Sequence, residues 1–565
     1  MKIPSFLPKS STEQLDQRLH AAIAKTTSSL SPTIALLSYI DWATHLAAAP
    51  GKQLELLHMA ASQTLAPPLV VEQPDWRFRG AEWQQWPYNM WSQSFLQTEQ
   101  WWHAATHGVR GVAPHHADVV GFAARQWLAA VSPRNFLATN PQVLQRTRKE
   151  HGANLARGLQ NVFQDLNRRV TGVHDPALGK FMPGRDVAVT PGKVVLKNKL
   201  MELIQYTPTT AKVHPEPILI FPAWIMKYYV LDLSPENSLI KYLVDQGHTV
   251  FCVSWKNPGR DERDLGMDDY VSLGVCSALA AVSAIVPGRK VHATGYCLGG
   301  TLLCIAAATM ARDGDDRLAS ISLLAAQTDF SEPGELSLFI DASQVAMLEA
   351  QMADTGYLTA DQMAGAFQLL RSDYLTWSYI IDTYLMGERP VVNDLMAWNA
   401  DATRMPARMH SQYLRRLFLD NDLAQGRYPV NGRPVALTDI RVPIFCLGTE
   451  TDHVAPWRSV YKLHLLTPAE LTFALTSGGH NAGVVSQPGH PRRHYKCHTR
   501  AVGDTYLGPD EWLQTAEQAS GSWWPAWANW LGRRSGTPVA PPAMGNKKRG
   551  YPAIDAAPGS YILER

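Results

Sequence analysis

One hexapeptide constrains this chain more than any other: Gly295-Tyr296-Cys297-Leu298-Gly299-Gly300. The apolar run 290–294 before it predicts a short buried strand, and the run 301–308 after it predicts a buried helix. Strand, Gly-x-Cys-x-Gly, helix is a nucleophile elbow, a turn so sharp that small residues must flank the nucleophile. Gly295 and Gly299 meet that need. The nucleophile is a cysteine where serine is usual, which directs the reading away from plain ester hydrolysis and toward acyl transfer from thioesters.

The rest of the chain fits an α/β architecture. Continuous apolar runs at 217–221 and 249–253 read as strands buried on both faces of a parallel sheet. The helical segment 237–245 between them completes a βαβ unit. Further strands are predicted at 193–197, 320–326, 442–448 and 471–476. Residues 1–185 read as a mostly helical N-terminal domain. The α/β-hydrolase core is expected over 186–328 and 432–565, interrupted by a lid insertion at 329–431. The Gly/Pro/Lys-rich tail near 533–551 is expected on the surface.

Composition excludes several functions. A chain of 565 residues that is 45% hydrophobic and 18% charged has ample core for two or three domains. A net charge of +2 gives no field to argue for nucleic acid. The six cysteines form no CxxC pair and no metal spacing, which points to a reducing cytoplasm. The first nine residues are too short and proline-broken for a signal peptide. The apolar stretches 34–49 and 275–286 are too short or too polar to cross a membrane.

Chain order in an α/β-hydrolase is nucleophile, acid, histidine. Asp452 follows strand 442–448, and His480 follows strand 471–476, the last one predicted. Asp329, after strand 320–326, is the rival acid, and Asp452 is preferred. His480 would take the thiol proton of Cys297, and Asp452 would hold the imidazole tautomer. The Leu298 amide should supply one oxyanion donor. Pro222 has no N–H, so Ala223, Trp224 or Ile225 must supply the second. A thioester on cysteine keeps the acyl group activated until an alcohol takes it, provided a lid excludes water.

Landmarks over the stretch from Asp75 onward make these residues more specific. They include Asp75-Trp-Arg-Phe78, Ser132-Pro-Arg-Asn-Phe136, Ser254-Trp-Lys-Asn-Pro258, Trp398-Asn-Ala-Asp401, Gly478-Gly-His480 and Gly521-Ser-Trp-Trp524. With the elbow, they resemble the polyhydroxyalkanoate synthases, closest to the single-chain, short-chain-length (class I) type. The resemblance implies polymerisation of (R)-3-hydroxyacyl-CoA, such as 3-hydroxybutyryl-CoA, with release of CoA. It maps the family's nucleophile, acid and base onto Cys297, Asp452 and His480. It further implies a homodimer in the cytoplasm, on polymer granules that carry associated proteins, with no cofactor. The family's oxyanion loop reads Pro-Pro-Trp-Ile-Asn-Lys-Tyr-Tyr, whereas this chain has Pro222-Ala-Trp-Ile-Met226-Lys-Tyr-Tyr229.

Two other functions compete. A cysteine thioesterase or esterase would share all three residues and admit water. A granule scaffold with a dead site would have no use for an intact Cys-Asp-His set. The tryptophans of the N-terminal helices, among them Trp83, Trp86, Trp91 and Trp102, read first as helix core and second as an apolar face toward polyester.

Overall fold

The computed structural model describes residues 11–26, 31–65, 75–173, 175–370 and 376–565. The first nine residues, expected not to be a signal peptide, lie outside the described set. The chain divides into two compact units.

One unit is helical and comprises 25–177 together with 364–392, the middle of the expected lid. Its centre is Phe78, Trp83, Phe95 and Leu128. Indole N–H groups tie its helices together: Trp42 donates to the Ala105 carbonyl at 2.8 Å, and Trp101 to that of Leu56 at 3.1 Å. Arg77 bridges Asp75 and Glu99, fixing the turn at Trp76–Phe78. The helix Ala153–Thr171 holds the 364–392 segment. Asn154 and Asn161 donate to the carbonyls of Leu385 and Thr383 at 2.8 and 3.0 Å. Gly158 is required there, because a Cβ would stand 1.9 Å from the Tyr384 carbonyl oxygen. Of the N-terminal tryptophans, Trp83 is core, as the first reading expects, whereas Trp86 and Trp91 are exposed.

The other unit holds 178–363, 393–565 and the described residues before Lys25. Its ten-stranded sheet is built from β1 (Gly192–Lys197), β2 (Met201–Tyr206), β3 (Ile218–Phe221), β4 (Val250–Trp255), β5 (Val291–Tyr296), β6 (Leu318–Leu324), β7 (Ile444–Thr449), β8 (Leu471–Thr476), β9 (His494–Arg500) and β10 (Glu517–Ser520). The order is β1-β2-β4-β3-β5-β6-β7-β8-β9-β10. Neighbours from β4 to β8 are parallel, and the pairs at either end are antiparallel. This is the α/β-hydrolase architecture expected from the sequence. The parallel strands are buried on both faces, as their uninterrupted apolar runs require.

Two strands, β9 and β10, follow the one that precedes His480, which is therefore not the last of the sheet. The helix Met267–Ile285 is the one described helix long and apolar enough to cross a membrane. It contributes Val271, Val275, Leu279 and Val282 to the core beside the sheet. The tail is largely exposed over 533–551 yet stitched to the loop between β2 and β3: Val213 and Val539 exchange backbone hydrogen bonds at 2.8 Å. Farther on, Val194 of β1 donates to Asp555 and accepts from Ile554, at 2.9 and 2.8 Å.

Candidate active site

Cys297 stands between β5 and the helix Leu298–Asp313 with φ 52° and ψ −123°. A cysteine at positive φ is strained and persists only where its surroundings over-determine it. The surroundings do so here. Its N–H donates to the Leu324 carbonyl at 2.9 Å, and its own carbonyl accepts from Gly300 at 2.9 Å. Three glycines are obligatory. A Cβ would lie 2.4 Å from Gly300 Cα at Gly295, 2.0 Å from the Phe221 carbonyl oxygen at Gly299, and 2.4 Å from Ala326 Cβ at Gly300. The elbow thus sits directly against the end of β3, where the loop 222–231 begins.

His480 opens the short helix His480–Val484 rather than lying in an open loop. Gly478, at φ +107°, makes the preceding turn. Arg493 donates to the carbonyls of Ser477 and Ala482 at 3.0 and 2.6 Å, bracketing His480 on both sides. Trp523 and Trp524 donate their indole N–H groups to Gly483 and Val484 at 3.0 and 2.9 Å, satisfying the last carbonyls of that helix. Neither contact was signalled by spacing: Arg493 carries no motif, and the Trp523-Trp524 pair appeared only as a landmark.

The His480 ring brings the elbow and the acid together. Its Nδ1 lies 2.8 Å from Asp452 Oδ2, and the Cys297 side chain lies beside the ring. It stacks on Tyr296, with centroids 5.6 Å apart. Burial opposes its protonation, but the Asp452 carboxylate and Cys297 beside it hold its pKa well above the ordinary histidine range. Asp452 is buried, which alone would raise its pKa. The His480 ring and the amides of Ala455 and Val454 overcome that and hold it below the usual carboxylate range. Both amides donate to Oδ1 at 2.8 Å, and Thr449 Oγ1 donates to Oδ2 at 3.0 Å.

Asp329 is engaged elsewhere: it accepts from the Ser331 amide and from Asn421 Nδ2 at 2.8 and 3.2 Å. Cys304 is wholly buried as core. Among the described residues, the amides of Leu298 and Ala223 donate to no protein acceptor outside a helix. Cys297 is half-buried between the two apolar clusters of this unit. A residue that sequence reasoning missed lies near it. Burial and then the proximity of Cys297 push up the pKa of the Tyr413 hydroxyl, on the segment returning from the insertion. Tyr413 packs with Phe330 and Phe418 at centroid distances of 6.3 and 5.3 Å. Among the described residues no group of three His, Cys, Asp or Glu side chains is arranged to hold a metal ion.

The fold and this arrangement define an α/β-hydrolase-fold enzyme with cysteine at the nucleophile elbow. The family model for the alpha/beta hydrolase fold matches 216–486. Residues 74–243 match "Poly-beta-hydroxybutyrate polymerase (PhaC) N-terminus", and residues 10–52 match "Poly-beta-hydroxybutyrate polymerase N terminal". A poly(3-hydroxyalkanoate) polymerase of Methylorubrum extorquens is 40% identical over 87% of this chain and 82% of its own length. The corresponding subunits of Rhizobium meliloti and Cupriavidus necator are 38% and 39% identical, over 90% and 78% of this chain and 83% and 75% of their own. The chain belongs to the poly(3-hydroxyalkanoate) polymerase family.

Proposed function

We propose that this enzyme polymerises (R)-3-hydroxyacyl-CoA through an acyl thioester on Cys297, with His480 as base and Asp452 as its orienting acid. The observation that carries the reading is the His480 ring, hydrogen-bonded to Asp452 and with Cys297 beside it, at the elbow of a member of this family. Cys297 Sγ, its proton taken by His480, adds to the thioester carbonyl. The oxyanion is stabilised by the Leu298 amide and by one amide from Ala223, Trp224 or Ile225. The carbonyl–sulfur bond to CoA then breaks, and the imidazolium returns its proton to the departing thiolate. His480 next takes the proton of an incoming 3-hydroxyl, whose oxygen adds to the Cys297 thioester carbonyl; the bond from that carbonyl to Cys297 Sγ breaks, leaving an oxyester, and the imidazolium returns the proton to the Cys297 thiolate. The exchange of thioesters is nearly neutral and the ester-forming step is downhill, so the chemistry needs water kept out more than it needs driving.

The reading extends to location. The helix Ala153–Thr171 leaves Leu159, Phe163, Leu166 and Val170 exposed at spacings of three and four, and Trp86 is 77% exposed. These apolar groups support an enzyme working at the surface of its own polyester granule in the cytoplasm, in company with granule-associated proteins and as a homodimer.

Incubation with (R)-3-hydroxybutyryl-CoA, following free thiol and turbidity together, tests the activity. Thiol release accompanied by sedimentable polymer is expected. Release of CoA and free hydroxy acid in equal amounts, without turbidity, would replace the proposal with a thioesterase.

A further inference from the structure

The loop 222–231 after β3 offers the second oxyanion donor, and its conformation is set from outside. Trp255 Nε1 donates to the Pro222 carbonyl at 2.8 Å. Thr403 Oγ1 donates to that of Trp224 at 2.6 Å, and Trp398 Nε1 to that of Lys227 at 2.7 Å. A peptide unit is planar, so fixing one carbonyl fixes the direction of the next residue's N–H. The bond to Pro222 therefore aims the Ala223 amide, and the bond to Trp224 aims that of Ile225.

Lys227 joins this loop to two distant segments. Its side chain is 5% exposed. The ammonium reaches Asp401 Oδ1 at 3.0 Å and the carbonyls of Ile562 and Glu564 at 2.5 and 2.7 Å. An ammonium has three donors, and here each has an acceptor. The segment 560–565 is itself anchored. Glu202, fully buried on β2, accepts from the amides of Ser560 and Tyr561 at 3.0 Å each. The Glu564 carboxylate accepts from the Asn257 amide at 3.1 Å. Asn257 Oδ1 in turn accepts from the Arg404 amide at 3.0 Å, one residue from Thr403. A buried ammonium that loses two of its three acceptors cannot stay where it is, so the loop and its amides must move with it.

We infer that Lys227, seated on residues 562–565, is a positioning residue that aims the oxyanion amides of the loop 222–231. The inference rests on the acyl-transfer reading above. It separates the two things the site must do: alkylation of Cys297 needs only the thiolate and His480, whereas attack on a carbonyl also needs the oxyanion donors.

The test compares full-length enzyme with Lys227→Met, Lys227→Arg and a chain ending at Tyr561. It follows CoA release from (R)-3-hydroxybutyryl-CoA and the rate of iodoacetamide alkylation of Cys297. Lys227→Met and the shortened chain should lose about 10- to 100-fold in kcat/KM for CoA release, part of what removal of a whole oxyanion donor costs. Their alkylation rates should stay within about twofold, and Lys227→Arg, whose larger planar guanidinium cannot take the three ammonium contacts, should not recover the parent activity. The inference is overturned if CoA release falls less than about threefold in both variants, or if alkylation falls in parallel with it. Failure of the underlying reading looks different: Cys297→Ala in the intact chain would then still release CoA.

Discussion

Asp452→Asn should cripple acyl transfer through the tautomer of one ring. The Asp452 carboxylate is surrounded by donors only: the Val454 and Ala455 amides on Oδ1, and Thr449 and His480 on Oδ2. An asparagine that keeps its carbonyl oxygen on the two fixed amides turns its NH2 toward His480 Nδ1. The ring must then accept at Nδ1, so Nε2 carries the hydrogen and can no longer take a proton from Cys297. The corresponding change in a Ser-His-Asp triad lowers turnover about 10⁴-fold. A thiol is more acidic than a serine hydroxyl, so a loss of about 10³- to 10⁴-fold is expected, or roughly 4–5.5 kcal/mol in the barrier. Thiol release from hydroxybutyryl-CoA at pH 7 measures it, and iodoacetamide alkylation of Cys297 should slow in the same variant. Asp329→Asn, whose carboxylate is hydrogen-bonded by Ser331 and Asn421 rather than by His480, should stay within about twofold. Activity of Asp452→Asn within about tenfold of the parent, or a larger loss in Asp329→Asn, would refute the tautomer argument.

Four other perturbations have defined outcomes. Cys297→Ser should keep its melting temperature and lose on the order of a hundredfold or more in CoA release, since serine is the weaker nucleophile under the same imidazole. Gly299→Ala drives a Cβ to 2.0 Å from the Phe221 carbonyl oxygen, so a stability loss of at least about 3 kcal/mol is expected in denaturant melts. Trp524→Phe replaces a buried indole by a smaller phenyl ring and strips the donor from the Val484 carbonyl, which together should cost at least about 1–3 kcal/mol and lower activity through the His480 turn. Acid should unfold the sheet unit early. Burial depresses His248 and His464 to about 3, and His292 and His410 to about 4. Each is bound neutral when folded and gains a proton near pH 6.5 when unfolded. Their stabilisation is therefore full above pH 6.5 and falls as pH drops toward those values, by about 1.4 kcal/mol per histidine at pH 5.5. Urea midpoints between pH 7.5 and 5 measure this, and a flat profile would refute it.

The parallel strands were legible because burial on both faces leaves an uninterrupted apolar run, and Cys297, Asp452 and His480 could be read as a set because each follows such a strand. The strands that were missed are polar for physical reasons. β2 carries Glu202 and Gln205, both buried and both satisfied by residues more than 300 positions away. β9 is half-buried, with His494, Lys496 and His498 in its run. Asp329 and Asp452 both follow parallel strands, and the one preferred from its place in the chain, Asp452, is the one that the fold turns toward His480. The brackets on His480 were hidden for another reason: Arg493 and Trp523 act through backbone carbonyls, and any residue supplies a carbonyl. The affiliation of 364–392 with the N-terminal helices was equally silent, because an amphipathic helix does not state its partner.

The pairing of 554–557 with β1 has a consequence for handling this protein. An open sheet ends in a strand whose outer N–H and C=O groups can recruit another molecule. Here Ile554, Asp555 and Ala557 occupy that row through Val194 and Gly192. A chain clipped before Ile554 would bare a sticky rim, so proteolytic trimming of this enzyme should be followed by self-association well before its interior melts.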